Sequence, residues 1–148
     1  MRRTKEDEVM PVFTSATIDA PIEKVWALIS DFGGLLRWHP LIERCEMEGE
    51  GVGARRTVYF SDWSAVEELT ALDHERHMLG YLVVDCTRPP AIGASGSMTL
   101  TSEGANSTRL DWASGLPEDS PHAAAVNAGL EAYYPVRIGH LKEALGVA

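Results

Sequence analysis

Hydrophobic residues recur at two different spacings along this chain, and the change of spacing predicts where strands and helices lie. Residues 9–18 alternate between apolar and polar side chains, which predicts a strand. Residues 22–30 instead carry apolar side chains three and four positions apart and leave Glu23 and Lys24 on the other side. This second pattern predicts an amphipathic helix lying on a sheet, with Pro21 in its first turn.

Short alternating segments joined by hairpin-length links fill the middle of the chain. A second short helix is predicted at residues 35–39, where Pro40 ends it. The strands predicted after it are residues 42–48, 54–61, 65–72, 78–86, 95–101 and 108–114. Links of this length join antiparallel neighbours, so we expect an antiparallel meander.

The C-terminal segment has a helical spacing. Residues 121–145 carry apolar or aromatic side chains at steps of three and four, namely Leu130, Tyr134, Ile138, Leu141 and Leu145. This stripe predicts one long helix. Pro135 lies inside it and should remove one backbone hydrogen bond and bend the axis near Tyr133 and Tyr134.

Length and charge limit the possible functions. A chain of 148 residues with 45% hydrophobic content suffices for one compact domain, which we place at residues 9–148, after a charged flexible tail at residues 1–8. The net charge of −9 argues against a nucleic-acid partner, since phosphate binding needs a clustered basic face. No apolar run predicts membrane insertion or a signal peptide, so we expect a cytoplasmic protein.

Motifs for metals, nucleotides or hydrolase chemistry are missing from the sequence. Cys45 and Cys86 stand alone and are expected to be free thiols. The glycine-rich residues 49–53 lead into a strand rather than a helix, which indicates a hairpin connection and not a phosphate-binding loop. We therefore expect neither a metal nor a cofactor.

Residues 20–40 carry the most specific pattern in the chain. Pro21 is followed by Val25-Trp26, then Asp31-Phe32, and finally a Trp-His-Pro corner at residues 38–40. In this the chain resembles the START-like superfamily, also called the birch-pollen-allergen or polyketide cyclase/dehydrase (SRPBCC) superfamily. Its members often open with a strand, a helix of this pattern and a Trp-His-Pro turn.

The resemblance covers nearly the whole chain and implies an α+β, helix-grip fold. In that fold a curved antiparallel sheet of about seven strands wraps around a long C-terminal helix, and two short helices follow the first strand. The family builds an internal cavity, so the resemblance also implies a ligand-binding domain.

The hairpin around Asp62 predicts a buried ion pair. If Phe60 faces Trp63 across the turn, then Arg56 faces Glu67, and both lie on the mostly apolar inner face of the sheet. Buried charges are tolerated when they are paired. The pair either satisfies itself near the rim or has a polar role in the cavity, and the sequence leaves both readings open.

Aromatic side chains gather on the same inferred face. The register places Tyr81 opposite Leu69, and alternation along the strand turns Trp112 inward. Taken singly, each aromatic is more often plain core packing, but their number on one face favours a small-molecule pocket. The predicted ligand-binding residues are Trp38, Phe60, Trp63, Leu69, Trp112, Asn127, Leu130 and Tyr134.

His39 is the first candidate for acid–base chemistry. The resemblance places the corner of Trp38 and His39 near the cavity mouth, and imidazole titrates close to neutral pH. The alternative is a histidine whose ring caps the turn before Pro40. The other histidines are expected on the surface, with His74 and His77 in a turn and His122 and His140 on the helix.

Two classes of function follow from these predictions. The first is binding of a small hydrophobic or aromatic molecule, polyketide-like or lipid-like, with cyclase or dehydratase activity as a possible extension. The resemblance then implies aldol-type cyclisation or dehydration, with His39, Tyr81 or Glu67 in acid–base roles and Arg56 polarising a carbonyl. The second class is a non-enzymatic carrier, a stress-type protein or a partner-binding domain. The protein is expected to be a monomer or a homodimer.

Overall fold

The alternating segments pair into one antiparallel sheet of seven strands. The computed structural model describes residues 10–148, and its strands are β1 (Val12–Ile18), β2 (Arg44–Glu48), β3 (Arg55–Tyr59), β4 (Ser64–Asp73), β5 (Met78–Cys86), β6 (Ser95–Gly104) and β7 (Ser107–Gly115). Their order in the sheet is β1-β7-β6-β5-β4-β3-β2. Strands β2 to β7 therefore form the predicted meander, and β1 pairs with β7 at the opposite edge.

Two helical segments follow β1, as predicted. Helix α1 (Ile22–Ile29) begins directly after Pro21, whose φ of −61° suits a helix start and whose missing N–H removes no helical hydrogen bond there. The second segment is a single 3-10 turn, Leu35–Arg37. It carries the chain into the corner that holds Trp38 and His39.

The long C-terminal helix is confirmed as α2 (Ala123–Leu145). It packs against β1 and β7 and runs without interruption through Pro135. The bend near Pro135 stays a prediction. Together the sheet, the two short helical segments and α2 reproduce the helix-grip arrangement. The predicted tail at residues 1–8, and Val9 of the first predicted strand, lie outside the described residues.

The hydrophobic core lies where the helices pack on the sheet. Val12, Val25, Leu110 and Leu141, from β1, α1, β7 and α2, are fully buried and belong to one cluster. Thr108 is also fully buried, and its hydroxyl donates a hydrogen bond of 2.8 Å to the carbonyl of Ala20. That bond satisfies the hydroxyl and fixes the link between β1 and α1 to β7.

The glycine-rich loop connects β2 to β3, as predicted. Gly49, Gly51 and Gly53 have φ angles of +84°, +66° and +95°, which side chains other than glycine rarely adopt. The amide of Ala54 closes the turn with a hydrogen bond of 3.0 Å to the carbonyl of Gly51. Among residues 10–148, no helix is long and apolar enough to cross a membrane.

Candidate ligand-binding site

A cavity of about 170 Å³ lies between the sheet and α2. Strands β3 to β7, the Trp38–His39 corner and α2 all contribute to its wall. Most of the wall is apolar, and its aromatic rings belong to Trp38, Phe60, Trp63, Tyr81, Trp112, Tyr133 and Tyr134. A concave, mainly apolar site with a few polar groups is the usual form of a small-molecule site.

The turn between β3 and β4 places two of these rings face to face. The amide of Phe60 donates a hydrogen bond of 2.8 Å to the carbonyl of Trp63, which closes the turn. The two rings then stack with centroids 4.1 Å apart and planes within 5°. The guanidinium of Arg88 covers Trp63 at 4.7 Å and pairs with Asp62 at 3.1 Å. This turn therefore builds a fixed aromatic wall from residues only three apart in sequence.

Tyr81, Trp112 and Tyr134 form a second aromatic cluster in the cavity wall. The indole of Trp112 stacks on Tyr134 with centroids 4.2 Å apart, and its Nε1 donates a hydrogen bond of 3.0 Å to the Tyr81 hydroxyl. Burial raises the pKa of Tyr81 well above its usual value and also raises the pKa of Tyr134. Both side chains are therefore neutral phenols near pH 7. Gly96 on β6 has no side chain because a Cβ there would overlap the Tyr81 ring.

The pair of Arg56 and Glu67 lies in the cavity wall, in the register that the sequence predicted. Arg56 is the direct neighbour of Glu67 across β3 and β4, and its Nε donates a hydrogen bond of 2.8 Å to Glu67 Oε1. Its Nη1 donates to the carbonyl of Phe32 at 3.0 Å, and the guanidinium lies 3.9 Å from the centre of the Phe32 ring. The two charges therefore neutralise each other inside the wall.

Arg137 on α2 is a second buried arginine of the wall, and only 2% of it is exposed. Its Nη1 donates a hydrogen bond of 3.0 Å to His140 Nδ1, while Nε and Nη2 are buried without a hydrogen-bond partner. The Tyr133 ring lies 3.6 Å from the guanidinium. Burial lowers the pKa of Arg137 to about 10, so it stays charged near pH 7. No acidic group of residues 10–148 forms an ion pair with it.

His39 is buried beside Arg137, with 6% of it exposed. Its ring lies 5.6 Å from the ring of Phe60 and 6.3 Å from that of His140, and its Nδ1 has no hydrogen-bond partner. Burial, followed by the charge of Arg137 and the neighbouring His140, lowers the pKa of His39 to about 3. The expectation that this imidazole titrates near neutral pH is therefore wrong for the ligand-free protein.

The predicted site residues divide into two groups. Ten of them line the cavity, and they are Trp38, His39, Arg56, Phe60, Trp63, Glu67, Tyr81, Trp112, Leu130 and Tyr134. Leu69 and Asn127 do not belong to the lining. Leu69 is buried in the core opposite Tyr81, and the Asn127 side chain is held by the backbone of Leu116 through hydrogen bonds of 2.8 and 3.0 Å.

Arg137 was missed by the sequence reasoning, and His140 was placed on the surface although it is half-buried. The signal for Arg137 was its spacing, because it lies three residues after Tyr134 and four before Leu141 on the buried face of the helix. The stripe was traced through apolar residues only, so a charged member of it was passed over.

Comparison with known sequences gives one family. The model of the family described as polyketide cyclase / dehydrase and lipid transport matches residues 11–146. Over 72 residues the chain is also 32% identical to the abscisic acid receptor PYL7 of Arabidopsis thaliana, in a match covering 45% of this chain and 34% of the receptor. The chain thus spans about a third of the length of that curated relative.

Solved structures resemble the whole fold. An uncharacterized protein from Bacillus thuringiensis has a TM-score of 0.78 at 18% identity, covering 90% of this chain and 96% of that one. XoxI from Bacillus cereus has a TM-score of 0.75 at 20% identity, with 90% and 93% covered. Ara h 8.0201 has a TM-score of 0.74 at 16% identity, with 91% and 97% covered. At these identities the likeness shows the fold alone.

Proposed function

Because the chain belongs to the polyketide cyclase / dehydrase and lipid transport family, we propose that it binds a small, largely aromatic molecule in the cavity between the sheet and α2. The observation that carries this proposal is the cavity of about 170 Å³ with aromatic rings in its lining. Flat rings gain contact area and favourable edge or stacked geometries against Trp38, Phe60 and Trp112. A few buried polar groups in the wall would fix the orientation of the ligand.

The volume of the cavity limits the size of the occupant. An apolar cavity of about 150 Å³ holds one benzene molecule, and this cavity measures about 170 Å³. The proposed ligand is therefore a single aromatic ring with short substituents. A multi-ring polyketide or a lipid chain would need side chains of the wall to move outward before it could enter.

Binding without turnover has better support than cyclisation or dehydration. His39, with a pKa of about 3, is a weak base at neutral pH, and the Glu67 carboxylate is held by Arg56. Tyr81 remains available as a neutral hydrogen-bond donor, which orients a carbonyl but does not remove a proton. The abscisic acid receptor that matches part of the chain is likewise named for binding. Catalysis stays a prediction of the family resemblance.

A cavity-filling variant tests the proposal. Ala65 lines the cavity, whereas the next residue of β4, Val66, does not. We expect Ala65→Phe to lower the affinity for single-ring aromatic compounds at least about tenfold, because a new ring occupies their space. The matched control, Val66→Phe, makes a similar substitution beside it and should keep the wild-type affinity. Isothermal titration calorimetry and displacement of an environment-sensitive dye measure the effect.

The same titrations can contradict the proposal. If the wild-type protein takes up neither dye nor any aromatic compound, the cavity acts as part of the core and a partner-binding function is favoured. Unchanged affinity in Ala65→Phe would place the ligand elsewhere on the protein. Uptake of long-chain lipids with the affinity of single-ring compounds would show that the cavity expands and that its volume does not select the ligand.

A further inference from the structure

The charges in the cavity wall do not balance. Among the described residues that line it, the acidic side chain is Glu67 alone, whereas the arginines are Arg56 and Arg137. Arg56 forms the ion pair with Glu67 at 2.8 Å. Arg137 has no carboxylate partner in the described part of the chain, and 2% of it is exposed. The cavity therefore carries one uncompensated positive charge, held on α2.

A buried charge without a counter-charge is unfavourable, because it has lost its hydration and gained no opposite charge. Arg44 on the surface shows the ordinary arrangement. It also lies over a tyrosine ring, Tyr59, at 4.1 Å, but it pairs with Glu46 at 3.3 Å, and its side chain is 63% exposed. Arg137 lies over Tyr133 at 3.6 Å, is only 2% exposed and has no carboxylate partner among residues 10–148.

The free atoms of Arg137 belong to one edge of the guanidinium. Nη1 is bound to His140 Nδ1, and since a guanidinium only donates, that ring nitrogen is the acceptor and the His140 proton lies on Nε2. A histidine side chain is never negative near neutral pH, so His140 does not balance the charge of Arg137. Nε and Nη2, the unpartnered nitrogens, point their N–H groups in the same direction, which is the edge that holds both oxygens of a carboxylate.

A third unpartnered nitrogen of the cavity wall belongs to His39. His39 Nδ1 is buried without a hydrogen-bond partner, and its ring lies 6.3 Å from the ring of His140. The His140 ring connects the two groups, since its Nδ1 is also the acceptor of the 3.0 Å hydrogen bond from Arg137 Nη1. Among the described residues of the wall, the unpartnered buried nitrogens thus belong to Arg137 and His39, while the carboxylate of Glu67 is paired with Arg56.

We propose that the ligand is a small aromatic carboxylate, whose carboxylate is bound by the Nε–Nη2 edge of Arg137 once the guanidinium turns from its buried position toward the cavity, while its ring packs among Trp38, Phe60 and Trp112. This inference rests on the proposed function, because it assumes that the cavity binds a ligand. A monoanion balances the single excess charge, and its two coplanar oxygens match the Nε–Nη2 edge. A phosphate dianion would leave a buried negative charge in its turn.

The test compares two ligands of the same shape and different charge, phenylacetate and phenylacetamide. We expect the wild-type protein to bind phenylacetate at least about tenfold more tightly, as charge-assisted hydrogen bonds of a buried arginine warrant. Arg137→Met should remove this preference, because the apolar side chain offers phenylacetate no charge and neither compound a hydrogen bond. Arg44→Met is the matched control, since it removes a ring-stacked arginine outside the cavity and should keep the preference.

The outcomes separate the two proposals. Equal affinity of the wild type for both compounds, or a preference that survives Arg137→Met, overturns the carboxylate inference and leaves the proposed function standing. No binding of either compound, together with no dye uptake, overturns both. If Arg137→Met does not fold by circular dichroism, Arg137→Gln replaces it, because Gln keeps hydrogen-bond donors and loses the charge. A preference retained by Arg137→Gln would equally overturn the inference.

Discussion

Arg56 and Arg137 occupy the same cavity wall and differ in what the protein provides for them. Arg56 has a carboxylate at 2.8 Å, a backbone carbonyl at 3.0 Å and the Phe32 ring over its face. Arg137 has a tyrosine ring over its face as well, but its hydrogen-bond partner in the described part of the chain is a histidine and not a carboxylate. The protein itself provides a counter-charge for Arg56, whereas Arg137 has none among residues 10–148.

The difference teaches that burial alone does not identify a functional charge. Both arginines are buried, and both touch an aromatic face. An ion pair that satisfies itself stabilises a wall without offering anything to a ligand. An arginine that lacks a counter-charge offers one free edge and lowers the stability of the empty protein. Arg137, rather than the Arg56–Glu67 pair, is therefore the residue to test for ligand recognition.

The largest change in stability is expected at the Arg56–Glu67 pair. Glu67→Ala leaves the guanidinium of Arg56 buried without its partner, since the two side chains are 9% and 18% exposed. The free energy of unfolding should fall by about 3 kcal/mol, the usual cost of breaking a buried pair from one side. Chemical denaturation measures it, with Glu68→Ala on the outer face of β4 as the control. A Glu67→Ala protein as stable as the wild type would show that the pair is hydrated.

A change of the opposite sign in the free energy of unfolding is expected at Arg137. Arg137→Met replaces a buried, unpaired charge by an apolar side chain of similar length, which should raise the free energy of unfolding of the ligand-free protein by about 1 kcal/mol. Part of the gain is offset by loss of the contact with Tyr133. The same denaturation experiment measures it. A loss of stability comparable to that of Glu67→Ala would mean that Arg137 is a structural residue, and the comparison would break.

The smallest effect concerns the pH dependence of stability. His39 has a pKa of about 3 in the folded protein, against 6.5 for an ordinary histidine, so the unfolded chain binds the proton first. Its contribution to stability is present above pH 6.5 and is lost as the pH falls toward 3. Between pH 7 and 6 the loss should be about 0.7 kcal/mol. His39→Gln should flatten this part of the curve, and an unchanged curve would mean that the imidazole is hydrated.

The Arg56–Glu67 pair could be predicted from the sequence because strand geometry is local. The turn between Phe60 and Trp63 fixes the register of β3 and β4, and side-chain alternation then places Arg56 against Glu67 without further information. The aromatic walls follow from the same alternation. Bounds of the strands and helices were predicted to within a few residues for the same reason, since each depends on its own short stretch of sequence.

The environment of Arg137 depends on contacts between distant segments, which one sequence does not show. Helical spacing puts Asn127 and Arg137 on the packed side of α2. In the structure the Asn127 side chain forms hydrogen bonds with the backbone of Leu116, whereas Arg137 lines the cavity. Which of the two finds a partner depends on where the loop after β7 lies. The half-burial of His140 likewise follows from the corner that carries His39.

Helix α2 carries both Tyr134 and Arg137, so the ring contacts and the charge contact of a ligand would be made by one rigid segment. Between them lies Pro135, which has no N–H and leaves the carbonyl of Glu131 without its helical partner. The missing helical hydrogen bond thus lies within about one turn of Tyr134 and Arg137, the residues of α2 that are proposed to contact the ligand. We expect amide hydrogen exchange in the first half of α2 to be faster than in the second, and residence time to follow detachment of that half from the sheet.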